Sequence, residues 1–459
     1  MFRIRRRATA RLSAAILVAG LSVGGSLATA GVAAADDAAA GGATATLRDE
    51  MAYKGDATID GDDVPAGLFQ MDVAGGGGTL QTYCIDAHTD TVFRASYREA
   101  SWAQSSLANN PDAGKIHWIL KNSFPQVSDV AALAKQAGIT GELTKDDAAA
   151  GTQVAIWRYS DHVKAEAKDT EAEALADYLE EQAKTKAVEE PTASLSLSSA
   201  SVAGKAGEKL GPVTVTTNAE SAAVKVAGAG VQVVDGSGNP VTSASNGTEL
   251  YLDVPAATPA GTATVTVEGS LALSVGRAFV GEKVRTQTQI LAGSTESKVA
   301  ASFTATWGEK DHTGPVLAAE AVKNCAKGGV DVKVTNSGDE AGEVTVGGEK
   351  HTVEAGKDLT VTVPVKEDAE YSIAVTGPNG LDQTFTGVLD CQTAGDGGSE
   401  SPAPSTAPSP AGDQGGNADG GNLAETGSNS ATPVIAGVAV ALVVVGGVTM
   451  VVLRKRRTT

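Results

Sequence analysis

Two periodicities divide the chain. Between 191 and 310, apolar and polar residues alternate in short runs such as "GPVTVTTN", "AAVKVAG", "TELYLDVP" and "TATVTVEG", separated by Gly, Asn and Pro. Period-two alternation marks strands with one buried face, and the turn residues mark the reversals between them. Several such strands predict an all-β, immunoglobulin-like sandwich. Residues 313–392 repeat the style with "VDVKVTNSG", "LTVTVPVK" and "YSIAVTG" and predict a second sandwich. Residues 45–190 differ. Strand-like runs come first ("GLFQMDVAG", "TLQTYCIDA"), and helical spacing follows. Asp129 is placed to cap "VAALAKQA". Thr144, with Asp147 three residues on, is placed to cap "KDDAAAGTQVAIWRYSD". In "TEAEALADYLEEQAK", Ala174, Leu175, Tyr178 and Leu179 share one face. The expectation is a mixed α+β domain followed by two all-β stalk modules.

The ends carry a different pattern. Arg3, Arg5, Arg6, Arg7 and Arg11 precede an apolar stretch from about Leu12 to Leu27, and Ala33-Ala34-Ala35 stands before Asp36. That order predicts a secretory signal peptide at 1–35, with a membrane anchor as the weaker alternative. Residues 393–422 are Gly, Ser, Pro and Asp with almost no apolar side chain. They cannot bury enough surface to offset ordering entropy and predict a disordered spacer. Residues 433–453 are nearly all apolar or Gly, long enough to span a bilayer as a transmembrane helix, and Arg454, Lys455, Arg456 and Arg457 follow.

Charge narrows the partners. The chain has 36 Lys+Arg against 55 Asp+Glu. Removing the five basic residues of the leader and the four of the tail leaves 27 against 55, a net charge of −28. Nucleic acid needs a basic footprint, so the charge argues against it as a partner. An acidic surface suits a soluble protein outside the cell.

Three cysteines make an odd count. Cys325 and Cys391 bracket the second sandwich, and an exported β-domain with one Cys near each end predicts a disulfide between them. Cys84 is then left unpaired. It reads as a buried inert thiol, or as a nucleophile served by His88, His117 or His162, although the local sequence of a protease cysteine is absent.

A third reading comes from three segments in order. Thr152-Gln153-Val154-Ala155-Ile156-Trp157 matches the Thr-Gln-x-Ala signature of Gram-positive thioester domains. Tyr83-Cys84-Ile85-Asp86 resembles their cysteine motif, and Lys115 to Pro125 resembles the segment between the two. The resemblance covers roughly 45–190. It implies that Cys84 and Gln153 join as an internal thioester, with no metal and no cofactor. A thiolate attacks a carboxamide and ammonia leaves. Near-attack geometry supplies roughly 7–11 kcal/mol towards such a step. An amine, such as a lysine on another protein, then displaces Cys84 and forms an amide to Gln153. Tyr83 and Trp157 flank the pair in sequence as possible shields against water, and His117 or His162 as possible proton-transfer aids. The product turns over once, so the protein is not an enzyme.

Leu423-Ala424-Glu425-Thr426-Gly427, followed by the apolar span and basic tail (423–459 together), resembles the sorting signal of wall-anchored Gram-positive proteins. The resemblance implies that a sortase cuts between Thr426 and Gly427 and joins Thr426 to peptidoglycan. The usual second residue is Pro; Ala424 here resembles the variant read by a separate actinobacterial sortase class. The combined expectation is a secreted, wall-anchored adhesin that captures an amine-bearing surface protein. The alternatives are a structural wall protein without an adhesive role and a cysteine hydrolase.

Overall fold

The structure, a computed structural model, describes residues 41–391 apart from positions 76, 229 and 312. The expected signal peptide, spacer, transmembrane segment 433–453, and Thr426 and Gly427 lie outside the described residues. Among the described residues no helix is long and apolar enough to cross a membrane.

Eight strands build the first sheet. Their spatial order is Thr44–Leu47, Ser96–Ala100, Ala278–Gly281, Gln289–Ser294, Thr79–Cys84, Asp62–Val73, Tyr53–Ile59 and Ala165–Ala167. Thr44–Leu47 also pairs with Asp62–Val73, which closes six of the strands into a ring. Two members of that ring, Ala278–Gly281 and Gln289–Ser294, come from far along the chain. The sequence pattern ended this domain at 190 and gave 191–310 to one sandwich; residues 278–294 instead return to the first sheet. The physical reason is visible in their burial. Ala278–Gly281 is buried at every position, and Gln289–Ser294 at all but the last. A strand covered on both faces carries no alternation to say which sheet it joins.

Between the two visits to the barrel, and again directly after the second, the chain builds a sandwich. A five-stranded sheet ordered Ser243–Ala244, Ala222–Ala227, Gly261–Ala272, Glu296–Gly308 and Ser201–Lys205 faces a four-stranded one. The latter runs Gln232–Val234, Glu249–Asp253, Lys209–Thr217 and Leu195–Leu197. Val213, Val215, Leu250, Leu252, Val265 and Val267 supply the alternating buried positions. A further three-stranded and a four-stranded sheet form a second sandwich from Leu317 to Val388, with its own core around Val332, Val344 and Phe385. Cys325 and Cys391 are bonded at one end of it.

Four α-helices are described, α1 Ala113–Asn122, α2 Val130–Ala137, α3 Lys145–Ser160 and α4 Thr170–Ala183; α3 packs on the first sheet, α1 and α4 pack on α3, and α2 packs on α4. Asp129 accepts from the Ala132 N–H, and Thr144 and Asp147 form a reciprocal capping box. Asp169 accepts from the Glu171 and Ala172 N–H groups. The helix α3 is buried on all sides because it lies between the barrel and α4. Gly151 is what lets the two helices touch: a Cβ there would stand 2.4 Å from the Ala172 carbonyl oxygen.

Candidate functional site

Cys84 is the last residue of the strand Thr79–Cys84, and Gln153 lies midway along α3; both are completely buried. Two long-range hydrogen bonds join them. The Cys84 N–H donates to Gln153 Oε1 at 2.9 Å, and Gln153 Nε2 donates to the Cys84 carbonyl at 2.8 Å. The carboxamide is therefore held, in both its donor and its acceptor, by the backbone of the one residue whose thiol could attack it.

The neighbouring strand Gln289–Ser294 sets this strand end. Cys84 pairs with Gln289, the Ile85 N–H donates to the Thr288 carbonyl at 3.0 Å, and Thr82 Oγ1 donates to Gln289 Oε1 at 2.9 Å. Gln289 had no signal in the local sequence, since its role depends on a strand returning from beyond the first sandwich.

After Cys84 the chain turns. The thiol Sγ sits 3.3 Å from both the Asp86 N–H and the Asp86 carbonyl. Burial pushes the thiol well above the usual cysteine range; the Asp161 and Asp86 carboxylates add to this, while the Asp86 backbone and the Trp157 indole act in the opposite direction. Trp157 is 3% exposed, and its Nε1 has no other hydrogen-bond partner among the described residues. Asp161, the C-cap of α3, accepts from the Ala87 N–H at 2.8 Å and from Ser160 Oγ at 2.5 Å. Burial raises its carboxyl to about 7, against the hydrogen bonds from Ser160 and Ala87. Asp161 did not stand out in the sequence. The signal was available: Gln153, Trp157 and Asp161 recur at four-residue spacing and share one face of a helix.

The other expected residues fall as follows. Tyr83 is completely buried, donates its hydroxyl to the Phe124 carbonyl at 2.8 Å, and packs beneath α3 beside Thr152. Trp157 lies beside the thiol. The histidines lie elsewhere. His117 Nδ1 is 2.8 Å from the Glu189 carbonyl, and its ring meets Trp102 edge-on. His162 approaches Asp112 at 3.9 Å, and His88 is exposed. None of the three hydrogen-bonds to Cys84 or Gln153 among the described residues, so neither His117 nor His162 is placed to assist there. Glu367, Asp368 and Asp390 approach one another closely enough to share a cation, but Asp368 is already paired with Arg285 at 2.7 Å.

Residues 81–185 match the thioester domain family, and residues 316–388 match the C-terminal domain of bacterial phospholipase C. No curated protein matches the chain. Among solved structures, the chain is similar to the TIE protein of Bacillus anthracis at 15% identity, over 77% of this chain and 81% of that one, with a TM-score of 0.27. It is similar to the thioester domain of the Enterococcus faecium TIE86 protein at 16% identity, over 58% of this chain and 97% of that one, with a TM-score of 0.28. At these TM-scores the structural likenesses carry no argument about the site.

Proposed function

We propose that Cys84 and Gln153 form an internal thioester and that the protein is a surface adhesin using this bond to capture an amine-bearing partner. The reading is carried by the reciprocal hydrogen bonding of the Gln153 carboxamide to the Cys84 backbone, within the segment that matches the thioester domain family. The Cys84 N–H, 2.9 Å from Gln153 Oε1, is a preplaced donor for the oxyanion that forms when sulfur attacks the carboxamide carbon. The Nε2 bond to the Cys84 carbonyl holds the group that leaves as ammonia. Complete burial of both residues keeps water from the product. A thiol leaves far more readily than an amine, so the bond is activated towards a lysine and yields a lasting amide to Gln153.

A cysteine hydrolase fits less well. Its nucleophile needs a nearby base and a lowered pKa, and this thiol is pushed up with no histidine against it among the described residues. In the same proposal the sequence beyond the described residues anchors the molecule: a sortase joins Thr426 to peptidoglycan, and the sandwiches and spacer hold the reactive domain away from the wall. The alternative of a structural wall protein without an adhesive role differs only in the partner.

Intact mass tests the bond. The purified protein is expected to weigh one ammonia less than its sequence after allowance for the disulfide, and Cys84→Ala and Gln153→Ala are each expected to restore it. Wild type at full mass with a titratable Cys84 thiol rejects the reading.

A further inference from the structure

Making a thioester from a thiol and a carboxamide moves a proton from sulfur to departing nitrogen, and opening it with an amine moves one from nitrogen to sulfur. Among the described residues no histidine hydrogen-bonds to the buried pair to do this. It has one face of α3, on which Gln153, Trp157 and Asp161 follow each other at one-turn intervals along the segment Cys84–Ala87. Gln153 meets the backbone of Cys84, the Trp157 indole faces its thiol, and Asp161 holds the Ala87 N–H at 2.8 Å.

We propose, resting on the thioester reading above, that Asp161 is the proton carrier of this site. As the bond forms, the Asp161 carboxylate takes the proton of the Cys84 thiol, sulfur bonds to the Gln153 carboxamide carbon, the C–N bond breaks, and the departing nitrogen takes the proton from Asp161 and leaves as ammonia. As it opens, a free amine bonds to the same carbon, the C–S bond breaks, the amine proton passes to Asp161, and Asp161 returns it to sulfur.

Three observations support the assignment. Asp161 is half-buried while Cys84 and Gln153 are fully buried, so of the three it is the one that can exchange a proton with solvent. It is held against the segment that follows Cys84 by the Ala87 N–H, and its charge helps to raise the Cys84 thiol. Its pKa, raised to about 7, leaves both protonation states populated near neutrality, as a two-way carrier requires. The charged group facing it from the turn after Cys84 is Asp86, which raises it further; its other partners, the Ser160 hydroxyl and the Ala87 N–H, are neutral. His162, next in sequence, is exposed and directed to Asp112 at the start of α1.

The test uses the full chain and methylamine, with opening followed by mass as a function of pH. Asp161→Asn keeps an acceptor for Ala87 and removes the titration. It is expected to open about 100-fold more slowly and to lose the inflection near pH 7 that wild type shows beyond the amine's own titration. Asp161→Glu is expected to recover part of the rate and the inflection, and Trp157→Phe to keep the inflection. If Asp161→Asn is isolated without the bond, recovery of the bond in Asp161→Glu supports the proposal. Loss in both variants overturns it in favour of a packing role, as does wild-type opening with an unchanged profile in Asp161→Asn. Wild type at full mass instead removes the thioester itself, and this inference with it.

Discussion

Glu99 lies at 2% exposure on the strand Ser96–Ala100, beside the returning strand Ala278–Gly281. Its Oε1 accepts from Arg277 Nε at 2.8 Å and from the Ser194 N–H at 3.0 Å, and its Oε2 accepts from the Ala43 N–H at 3.1 Å. One carboxylate thus ties the chain's first described strand, the entry to the first sandwich and the return from it. Arg277, at 4% exposure, also donates to Glu190 at 2.5 Å and to the Pro191 carbonyl at 3.2 Å. Glu99→Gln leaves the buried guanidinium beside a neutral amide with Glu190 as its remaining carboxylate; removing one partner of a buried pair costs about 3–5 kcal/mol, and the Glu190 contact puts this loss at the lower end, about 3 kcal/mol. Arg277→Met strands the carboxylate and is expected to cost a similar amount. The double variant removes both charges, so its loss is expected to fall short of the sum by about 0.5–3 kcal/mol. Urea denaturation, with hydrogen exchange of Gln289–Ser294 as the local readout, measures all three. Glu99→Gln within about 0.5 kcal/mol of wild type, with an additive double variant, refutes the reasoning.

Other perturbations separate further parts of the molecule. The Cys325–Cys391 bridge closes a loop with a sequence separation of 66, so replacing both cysteines by Ser is expected to destabilise the second sandwich by about 4 kcal/mol and leave the mass of the reactive domain unchanged. Gly151→Ala drives a methyl to 2.4 Å from the Ala172 carbonyl, and the fixed backbone oxygen cannot yield; a loss of about 1–3 kcal/mol in urea is expected, together with slower ammonia release two residues away. The raised Asp161 carboxyl gives a sign for pH. Between about 4, where the unfolded carboxyl titrates, and about 7, where the folded one does, the folded state holds the extra proton, so stability falls as pH rises through that window. Asp161→Asn is expected to flatten this slope in part. Asp390, also raised to about 7 by burial, keeps the remainder.

What was legible in the sequence was local. Thr144 with Asp147 announced α3 because the cap and its partner are three residues apart, and both bonds form. The helix α1 went unread, although Asp112 stands at its N-cap; the side chain makes no cap bond there, and the apolar spacing of the ten-residue helix carries little signal of its own. The pairing of Cys84 with Gln153 was legible because short motifs surround each residue. Asp161 was not, although it completes the same helix face, because a C-cap carboxylate usually has no chemical meaning. Least legible was the barrel. Its closure depends on residues 278–294, whose buried faces are indistinguishable along the chain from those of the sandwich around them.

That closure bears on where the reactive pair can exist at all. A piece of chain ending near 190 contains Cys84, Gln153 and all four described α-helices, and by sequence it is the whole expected thioester domain. By structure it lacks both strands that fill the gap between Ser96–Ala100 and Thr79–Cys84. Cys84 would then stand on an open edge. The Ile85 N–H would lose the Thr288 carbonyl, and Thr82 would lose Gln289. Water would reach the backbone that brackets the Gln153 carboxamide, and an open edge is also a template for pairing with other chains. A carboxamide held for attack only by two hydrogen bonds to that backbone loses its geometry as the strand end frays. The inserted sandwich is therefore more than a spacer, because the chain must traverse it to close the barrel. The last ring strand, Gln289–Ser294, is also the one that pairs with Cys84. On the proposed thioester reading, chemistry at Cys84 is in this way tied to completion of the fold: a thiol still outside a finished barrel is not yet in a position to react with its own glutamine.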